Sequence, residues 1–232
     1  MTASALWQLQ YLSSGPNGMS EEYIKNSCVP EFYVGADYAS ASGWLTGGGV
    51  HLISLKPRTS SVWNEKTYKV NERMTALSYE AHVKYTGRHF TFAAKSLLAS
   101  CLDHTALIGG YGISSIDPDN GEQEYTPFRH STSWINFTCG TKWKGHFFAG
   151  YTKNLGTADV LVSATEYGMG LDIDQVFSTN IAFSYNLPHW QIGMEYMPTT
   201  AWYGDTDKVS GKTVNTHSVT NHRILGLVMY YF

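Results

Sequence analysis

Charged residues are scarce in this chain: Lys, Arg, Asp and Glu make up 15% of its 232 residues, against about a quarter in ordinary globular proteins. The formal net charge is −3, which argues against nucleic-acid binding, because proteins of that class carry a basic patch. The sequence also lacks any apolar run of about 18 residues, which excludes helical membrane spans.

Cysteine is nearly absent as well, with Cys28, Cys101 and Cys139 the only examples. Three widely spaced cysteines do not make a disulfide framework or a zinc site, so we expect no metal and no cofactor. Cys139 falls in a strand pattern, as a small apolar side chain. Cys28 and Cys101 fall in expected loops, where they either pair with each other or remain free.

No linker divides the chain, and no low-complexity tract is present, so we expect a single domain over residues 1–232. The segment Met1–Trp7 has no basic stretch followed by an apolar core, so it does not have the pattern of a secretory signal peptide.

Aromatic residues and glycine are abundant, at 14% aromatic and 22 glycines, and apolar residues recur with a period of two. In Phe177–Asn186 the odd-numbered residues are mostly apolar and the even-numbered ones are mostly small or polar. Leu77–Tyr85 and Phe32–Tyr38 repeat the alternation. Since alternate residues of a strand point to opposite faces, the pattern predicts strands with one apolar face and one polar face. Such a polar face is not typical of a packed core.

The connections between these strands alternate between short and long. Long ones fall near Ser13–Val29, Lys56–Asn71, Ala99–Phe128, Leu155–Gln175 and Thr199–His217, and short ones near Ala39–Ser42, Thr86–Arg88, Lys142–Gly145 and Leu187–His189. Ten strands result, near 4–12, 30–39, 43–54, 73–86, 88–97, 129–141, 144–153, 175–186, 189–198 and 218–232. Each is close to the roughly 9–11 residues that cross a bilayer. The fold class predicted is all-β, an antiparallel up-and-down transmembrane β-barrel with its long loops on one side.

Aromatic residues near the expected strand ends add to this prediction, because membrane barrels carry aromatic belts at both interfaces. The residues concerned are Trp44, Tyr85, Trp134, Trp143, Tyr151 and Trp190. The final strand ends on Phe232, which shares a face with Tyr230 and Val228. The alternative for this terminus is an ordinary buried edge strand.

The terminal Phe resembles the C-terminal signature of Gram-negative outer-membrane β-barrels. In those proteins it is read by the barrel assembly machinery, which implies an assembly-signal role for Phe232, Tyr230 and Val228. The segments Phe147–Thr157, Ser133–Phe137 and Met229–Phe232 resemble the C-terminal part of Bacteroidota-type outer-membrane porins, with the DcaP-like trimeric porins as the nearest family.

This resemblance implies a bacterial outer-membrane location, contact with outer-membrane lipids, a homotrimer and a water-filled lumen inside a larger barrel of about sixteen strands. We therefore expect an N-terminally truncated part of a larger barrel, in preference to a complete ten-stranded one. A fragment would have two unpaired edges, which lipid does not tolerate.

A porin lumen needs charged side chains on its inward face to select solutes. The strand pattern gives eight candidates for this lumen and selectivity role: Glu31, Asp37, Glu80, His82, Lys84, Lys95, Glu195 and Arg223. The alternative is that these groups only solvate the lumen or pair with one another across the wall.

The longest loop offers two further interpretations. Its segment Leu107–Tyr111 would either add a β-hairpin or fold inward as a constriction. The acidic residues that follow resemble a calcium loop only superficially, because the glycine occupies the fifth position and not the sixth, so a solvated external loop is favoured. These residues are Asp117, Asp119, Glu122 and Glu124.

An enzymatic role is not expected. Asp103, His104 and Ser131 suggest a triad on paper, but geometry and not sequence proximity defines a triad. No nucleophile-elbow pattern accompanies them.

The function predicted is passive diffusion of small hydrophilic solutes through a porin-like channel. One alternative is a non-conducting outer-membrane barrel for adhesion or anchoring. Another is a soluble secreted β-barrel or sandwich that binds a ligand, and this alternative would require polar outer positions around an apolar interior.

Overall fold

The computed structural model describes residues 1–232 and is almost entirely β-structure. Its strands are β1 (Thr2–Leu6), β2 (Ser14–Gly15), β3 (Gly18–Met19), β4 (Glu31–Ala39), β5 (Trp44–Leu55), β6 (Ser60–Trp63), β7 (Lys66–Lys69), β8 (Met74–Thr86), β9 (Phe90–Ser100), β10 (Gly109–Ile116), β11 (Gln123–Pro127), β12 (Arg129–Gly140), β13 (Trp143–Gly156), β14 (Glu166–Met169), β15 (Ile173–Asn186), β16 (Trp190–Thr206) and β17 (Thr213–Tyr230). One α-helix, α1 (Glu22–Ser27), and one 3₁₀ turn (Asp103–Thr105) complete the chain. Neither is long and apolar enough to cross a membrane.

Ten strands form one antiparallel sheet in the order β1-β4-β5-β8-β9-β12-β13-β15-β16-β17. Within this sheet every strand pairs with its predecessor and its successor along the chain, so the predicted up-and-down topology and strand count are confirmed. The connections alternate between short turns at one end and long excursions at the other, also as predicted.

The short turns are tight. Gly140, the last residue of β12, has φ of +99°, a conformation that residues with a Cβ rarely adopt. A Cβ at this position would also collide with the carbonyl oxygen of Trp143. Glycine is therefore required where this turn closes.

Several predicted boundaries are wrong. The first strand covers Thr2–Leu6 and not 4–12, because the chain after Leu6 turns away to bury Gln8 and Ser13. The last two strands extend further toward the long connections than the apolar alternation does, since they continue to pair beyond its end. The final strand stops at Tyr230, two residues before the C-terminal Phe.

The pairing of residues between neighbouring strands shows which side chains lie on the same face of the sheet. Tyr33 pairs with His51, His82 with Lys95, and Glu195 with Leu225, and the registers between them connect these residues on the same face. We call this the inner face, because the long connections pack against its end at Ile53. The opposite side is the outer face.

The long connections fold into a compact structure, called here the cap, built from residues 7–30, 56–73, 101–128 and 166–169. It contains the hairpin β6–β7, the three-stranded sheet β11-β10-β14 and helix α1. Its core packs side chains of the connections against strands β5 and β8, through Tyr23, Ile24, Ile53, Leu55, Met74, Ala76, Cys101 and Tyr111. The cap thus covers the long-loop end of the inner face on the N-terminal half of the sheet.

The edges of the sheet are unpaired. Strand β1 pairs only with β4, and strand β17 pairs only with β16. The seventeen C-terminal strand residues from Val214 to Tyr230 are all exposed. The sheet therefore presents two free rows of backbone hydrogen-bonding groups.

Candidate functional site: the inner face of the sheet

The pairing places all eight predicted lumen residues on the inner face, although they belong to five different strands. They are Glu31, Asp37, Glu80, His82, Lys84, Lys95, Glu195 and Arg223. Strict alternation along each strand and unbroken pairing across the sheet bring them together. Their role in selectivity stays a prediction.

Four of these residues form one ionic network, which also includes Tyr33. The ring nitrogens of His82 lie 3.0 Å from Asp37 Oδ1 and 3.1 Å from Glu80 Oε2. Lys95 Nζ lies 3.3 Å from the same Glu80 oxygen, and the Tyr33 hydroxyl donates to Glu80 Oε1 over 2.8 Å. The interpretation as ion pairing across the wall therefore describes this part of the inner face.

Glu31 has a different environment, since it is buried beneath the cap. Its Oε2 lies 3.0 Å from His51 Nε2 and 3.1 Å from His104 Nε2, and its Oε1 accepts from Gln8 Nε2 over 2.5 Å. The side chain of Gln8 also donates to Ser13 Oγ. One carboxylate thus joins the sheet, the N-terminal segment and the loop after β9.

Lys84, Glu195 and Arg223 remain without an ion-pair partner. Lys84 and Arg223 are exposed, and Glu195 is half-buried. Because a charge that has no partner acts on its surroundings without local compensation, these three groups, together with Lys144 on the same face, contribute to the field along the open part of the inner face.

Uncharged polar and aromatic groups form a second cluster farther along the inner face. Asn136 pairs with Phe148, which in turn pairs with Asn180. The ring of Trp134 lies 6.3 Å from that of Phe148, between centroids. Sequence reasoning missed this cluster, because its members become neighbours only through the pairing of three strands.

The outer face has the opposite character. From the short turns to the level of Ser131 and Tyr151, its positions hold no Asp, Glu, Lys or Arg. The first charged side chains, Lys153 and Arg129, lie at the long-loop end. Large apolar side chains on this face are exposed; Phe183, for example, has an exposed fraction of 64%.

Aromatic pairs line the outer face beside the short turns. Ring centroids lie 4.8 Å apart for Trp44 and Tyr85, 4.4 Å for Trp143 and Tyr185, and 4.8 Å for Trp190 and Tyr230. These pairs form one aromatic row at the level where the strands end.

One member of the predicted aromatic belt lies elsewhere, since Trp134 occupies the inner face in mid-strand. The expectation for Trp134 was wrong because it considered nearness to a strand end and not the face to which the side chain belongs. Tyr151 lies on the outer face at the level of Ser133, two residues before Lys153 and so near the long-loop end.

Of the predicted assembly-signal residues, Val228 and Tyr230 lie on the outer face of β17, opposite Ile192 and Trp190. Phe232 lies beyond the strand and is fully exposed. Its ring contacts that of Tyr230 edge-on, at 5.2 Å between centroids and 89° between planes.

A buried ion pair holds the cap together. The carboxylate of Glu72 is fully buried and pairs with the guanidinium of Arg58. It also accepts from the Gln123 amide over 2.9 Å and from the Tyr125 hydroxyl over 2.5 Å. The hydrogen bond to Glu72 raises the pKa of Arg58, and burial, with the same carboxylate, raises the pKa of Tyr125.

The longest connection contains the β10–β11 hairpin, as one of its two interpretations predicted. The acidic residues lie around its tip, where Asp117 Oδ1 accepts from the Asp119 amide and Glu124 accepts from Ser115 Oγ. Glu122 accepts from the Asn71 amide across the cap. No three His, Cys, Asp or Glu side chains in the structure are grouped to hold a metal ion.

The hypothetical triad does not assemble. Ser131 pairs with Leu98 on the outer face, whereas His104 binds Glu31 beneath the cap. Asp103 accepts from the Ser14 amide over 3.0 Å. The three side chains thus belong to different surroundings, and their proximity in sequence does not bring them together.

All three cysteines are free, so the pairing of Cys28 with Cys101 that the sequence left open does not occur. Cys28 is exposed, and Cys101 is buried in the core of the cap, where burial raises its pKa well above the usual value. Cys139 is exposed on the outer face, opposite Phe90.

No protein-family model matches this chain, and no curated protein matches it in sequence. Among solved structures, the chain is similar to OmpT (folded in vitro), an outer membrane protein of Vibrio cholerae, with a TM-score of 0.46 and 15% sequence identity. The match covers 87% of this chain and 55% of the other, so the chain spans little more than half the length of that protein.

Proposed function

We propose that this chain forms the wall of a bacterial outer-membrane channel through which small hydrophilic solutes diffuse. The observation that carries the proposal is the division of charge between the two faces. The inner face holds Asp37, Glu80, Lys84, Lys95 and the other predicted lumen residues, while the outer face is apolar and uncharged up to the long-loop end. A membrane barrel alternates in this sense, with apolar side chains outward and polar ones inward.

The aromatic row supports the same proposal. Tyr and Trp side chains favour membrane–water interfaces, where the ring contacts apolar chains and the polar atom contacts water. The row at Trp44, Trp143 and Trp190 would mark the interface at the short turns, which is the periplasmic side in outer-membrane barrels. The cap would then lie on the external side.

The polarity of the two faces separates this proposal from a soluble ligand-binding barrel. A soluble barrel keeps apolar side chains inside and polar ones outside. Here the half-exposed or exposed apolar groups, such as Ile181 and Ile224, lie on the outer face. Lipid is the occupant that fits such a surface, and outer-membrane lipids are accordingly the proposed surroundings.

A closed wall requires partners for the free edges of β1 and β17, because unpaired backbone groups are too costly in lipid. We propose that further strands complete a barrel larger than ten strands. The proposal of a homotrimer rests on the resemblance to trimeric porins alone. Assembly by the barrel machinery, with Phe232, Tyr230 and Val228 as its signal, belongs to the same proposal.

One observation favours a second candidate, a membrane barrel that does not conduct. The cap covers the long-loop end of the inner face along β4, β5, β8 and β9 and has its own buried core. A cap held firmly over the whole lumen would leave an anchoring or adhesive role for the long loops.

Electrical recording tests the channel and separates the two candidates. The purified protein is reconstituted in a planar lipid bilayer under a salt gradient, with protein-free detergent as the control. Stepwise conductance is the expected result. Binding of the protein to the bilayer without any conductance would contradict the channel and favour the non-conducting barrel.

We propose no catalytic activity. The nearest arrangement to a catalytic group, Ser131 with His104, is divided between the two faces of the sheet. A fluorophosphonate probe should leave Ser131 unlabelled, and labelling of that hydroxyl would overturn this part of the proposal.

A further inference from the structure

The cluster centred on Phe148 has features that the channel alone does not require. Phe148 lies on β13 with Asn136 opposite it on β12 and Asn180 opposite it on β15, all on the inner face. Because neighbouring strands lie about 4.8 Å apart, the aromatic ring has an amide side chain on each side at the same height. The ring of Trp134, at 6.3 Å, extends the aromatic surface toward the long loops.

A cavity of about 460 Å³ opens over this cluster. That volume lies within the range of about 300–1,000 Å³ found for small-molecule sites. Besides Phe148 and the two asparagines, its lining includes Gln191, Glu195 and Leu225. Apolar and polar groups therefore meet around one concave space.

The polar groups here are free to bind a solute. The side chains of Asn136, Asn180 and Glu195 make no hydrogen bond within the chain, whereas Glu80 and Lys95 in the ionic network bind each other. Each asparagine provides two N–H donors and one carbonyl acceptor. Each asparagine thus offers the cavity both hydrogen-bond donors and an acceptor, and Glu195 is the one charged side chain in the lining.

We propose that this cavity is a binding subsite for a neutral polyhydroxylated solute, of the size of a mono- or disaccharide. A pyranose ring has a C–H face that packs on an aromatic ring, while its hydroxyls donate and accept at the ring edge. Phe148 provides the apolar surface in the cavity wall, and Asn136 with Asn180 provides the amides beside it. The cavity lining contains no Lys or Arg, so an anionic solute lacks a counter-charge there.

The subsite rests on the proposed channel only for its biological access, since binding itself needs no transport. We therefore test it with maltose, by calorimetric titration of the purified protein in a detergent without a sugar headgroup. Saturable binding is expected. The Phe148→Leu variant, which removes the aromatic face and keeps an apolar side chain, should lower the affinity at least tenfold, and Phe148→Trp should retain it.

The chain provides a matched control on the neighbouring strand. Phe137 follows Asn136 on β12, lies on the outer face and does not line the cavity, so Phe137→Leu makes the same chemical change and should leave maltose affinity within twofold. Removal of the amides in Asn136→Ala combined with Asn180→Ala should also lower the affinity at least tenfold. Comparison of variant melting curves and circular dichroism spectra identifies any variant that fails to fold.

Two results would overturn the subsite: absence of maltose binding by the parent protein, or equal losses for Phe137→Leu and Phe148→Leu. Conductance without maltose binding would refute the subsite and leave the channel intact. Maltose binding without conductance would refute the channel and support the subsite. Tight binding of an organic anion of similar size, in place of maltose, would refute the proposed solute class.

Discussion

Glu80 and Lys95 form an ion pair between the neighbouring strands β8 and β9, with Lys95 Nζ 3.3 Å from Glu80 Oε2. Each charge compensates the other, and His82 and Tyr33 also bind the same carboxylate. This pair is neutral overall and by itself contributes little net field to the lumen. Ion selectivity should therefore depend on the inner-face charges outside it.

The first prediction concerns Lys84 and Arg223, which have no ion-pair partner. Replacing either by Glu changes the local charge by two units, so the reversal potential in a KCl gradient should shift toward cation selectivity. The shift should shrink as ionic strength rises, because salt screens charges in water. Planar-bilayer recordings of Lys84→Glu and Arg223→Glu provide the measurement.

Lys66→Glu is the control for that prediction, since Lys66 is exposed in the β6–β7 hairpin of the cap and not on the inner face of the ten-stranded sheet. It should move the reversal potential much less. Unchanged reversal potentials in both inner-face variants would sink the selectivity role of these residues.

The second prediction concerns the buried ion pair of the cap. Arg58→Ala leaves the carboxylate of Glu72 buried without its counter-charge, a change that typically costs about 3–5 kcal/mol. The cap should open more often, and hydrogen exchange of the Gln123 amide, which donates to Glu72, should accelerate. Mass spectrometry of peptides from residues 121–128 measures this exchange.

Two comparisons define the cause. Lys25→Ala removes an exposed ion pair with Glu21, for which a loss of less than about 1 kcal/mol is typical, and should leave exchange in the cap unchanged. The double variant Arg58→Met with Glu72→Leu removes both charges and should recover part of the lost protection at cap amides that do not bind Glu72, such as the Val70 amide, which donates to Thr59. Equal exchange in Arg58→Ala and the parent protein would show that the pair does not hold the cap.

The third prediction uses the three native cysteines, which report three environments. In protein inserted into liposomes, a water-soluble maleimide should label exposed Cys28 rapidly and leave Cys139 unlabelled, because lipid would cover the outer face. Cys101 should stay unlabelled in both liposomes and detergent, since it is buried and its raised pKa disfavours the reactive thiolate.

A lipid-soluble maleimide supplies the control, as it should reach Cys139 in the same liposomes. Unfolding in denaturant should then make all three thiols reactive. Rapid labelling of Cys139 by the water-soluble reagent in intact liposomes would mean that the outer face does not contact lipid, and the membrane proposal would fall.

From the sequence alone it could be predicted that Glu31, Glu80 and Arg223 lie on the same face of the sheet, although 192 positions separate the first from the last. The reason is geometric: a strand alternates strictly, and an antiparallel meander transmits that alternation from strand to strand. The same regularity gave the strand number and the alternation of short and long connections.

The cap could not be predicted in the same way. Within it, His104 binds Glu31 across 73 positions of sequence. Outside the cap, the cluster of Phe148 with Asn136 and Asn180 was missed as well, because it depends on the exact strand registers. The cap packs by irregular contacts between loops, for which the sequence has no period to detect. The triad that the sequence analysis did not favour and the cysteine pairing that it left open are both absent, because nearness in a loop sequence says little about nearness in space.

The fourth prediction concerns the C-terminus. Phe232 is fully exposed and touches only Tyr230 among the aromatic rings, so its removal should cost the folded sheet little stability. If the terminal ring serves as an assembly signal, Phe232→Ala should instead lower the amount of protein inserted in outer membranes severalfold during expression in a Gram-negative host. Protein refolded in vitro into detergent should have the same melting temperature with or without the ring.

This contrast distinguishes recognition from packing. Val228→Ala removes an outer-face side chain of the same strand that is 65% exposed and, as part of the proposed signal, should reduce insertion to a smaller extent. Val219→Ala changes an inner-face valine of the same strand outside that signal and should have no effect on insertion. A Phe232→Ala protein that inserts as well as the parent would remove the assembly role, whereas a large drop in its melting temperature would assign the ring to packing.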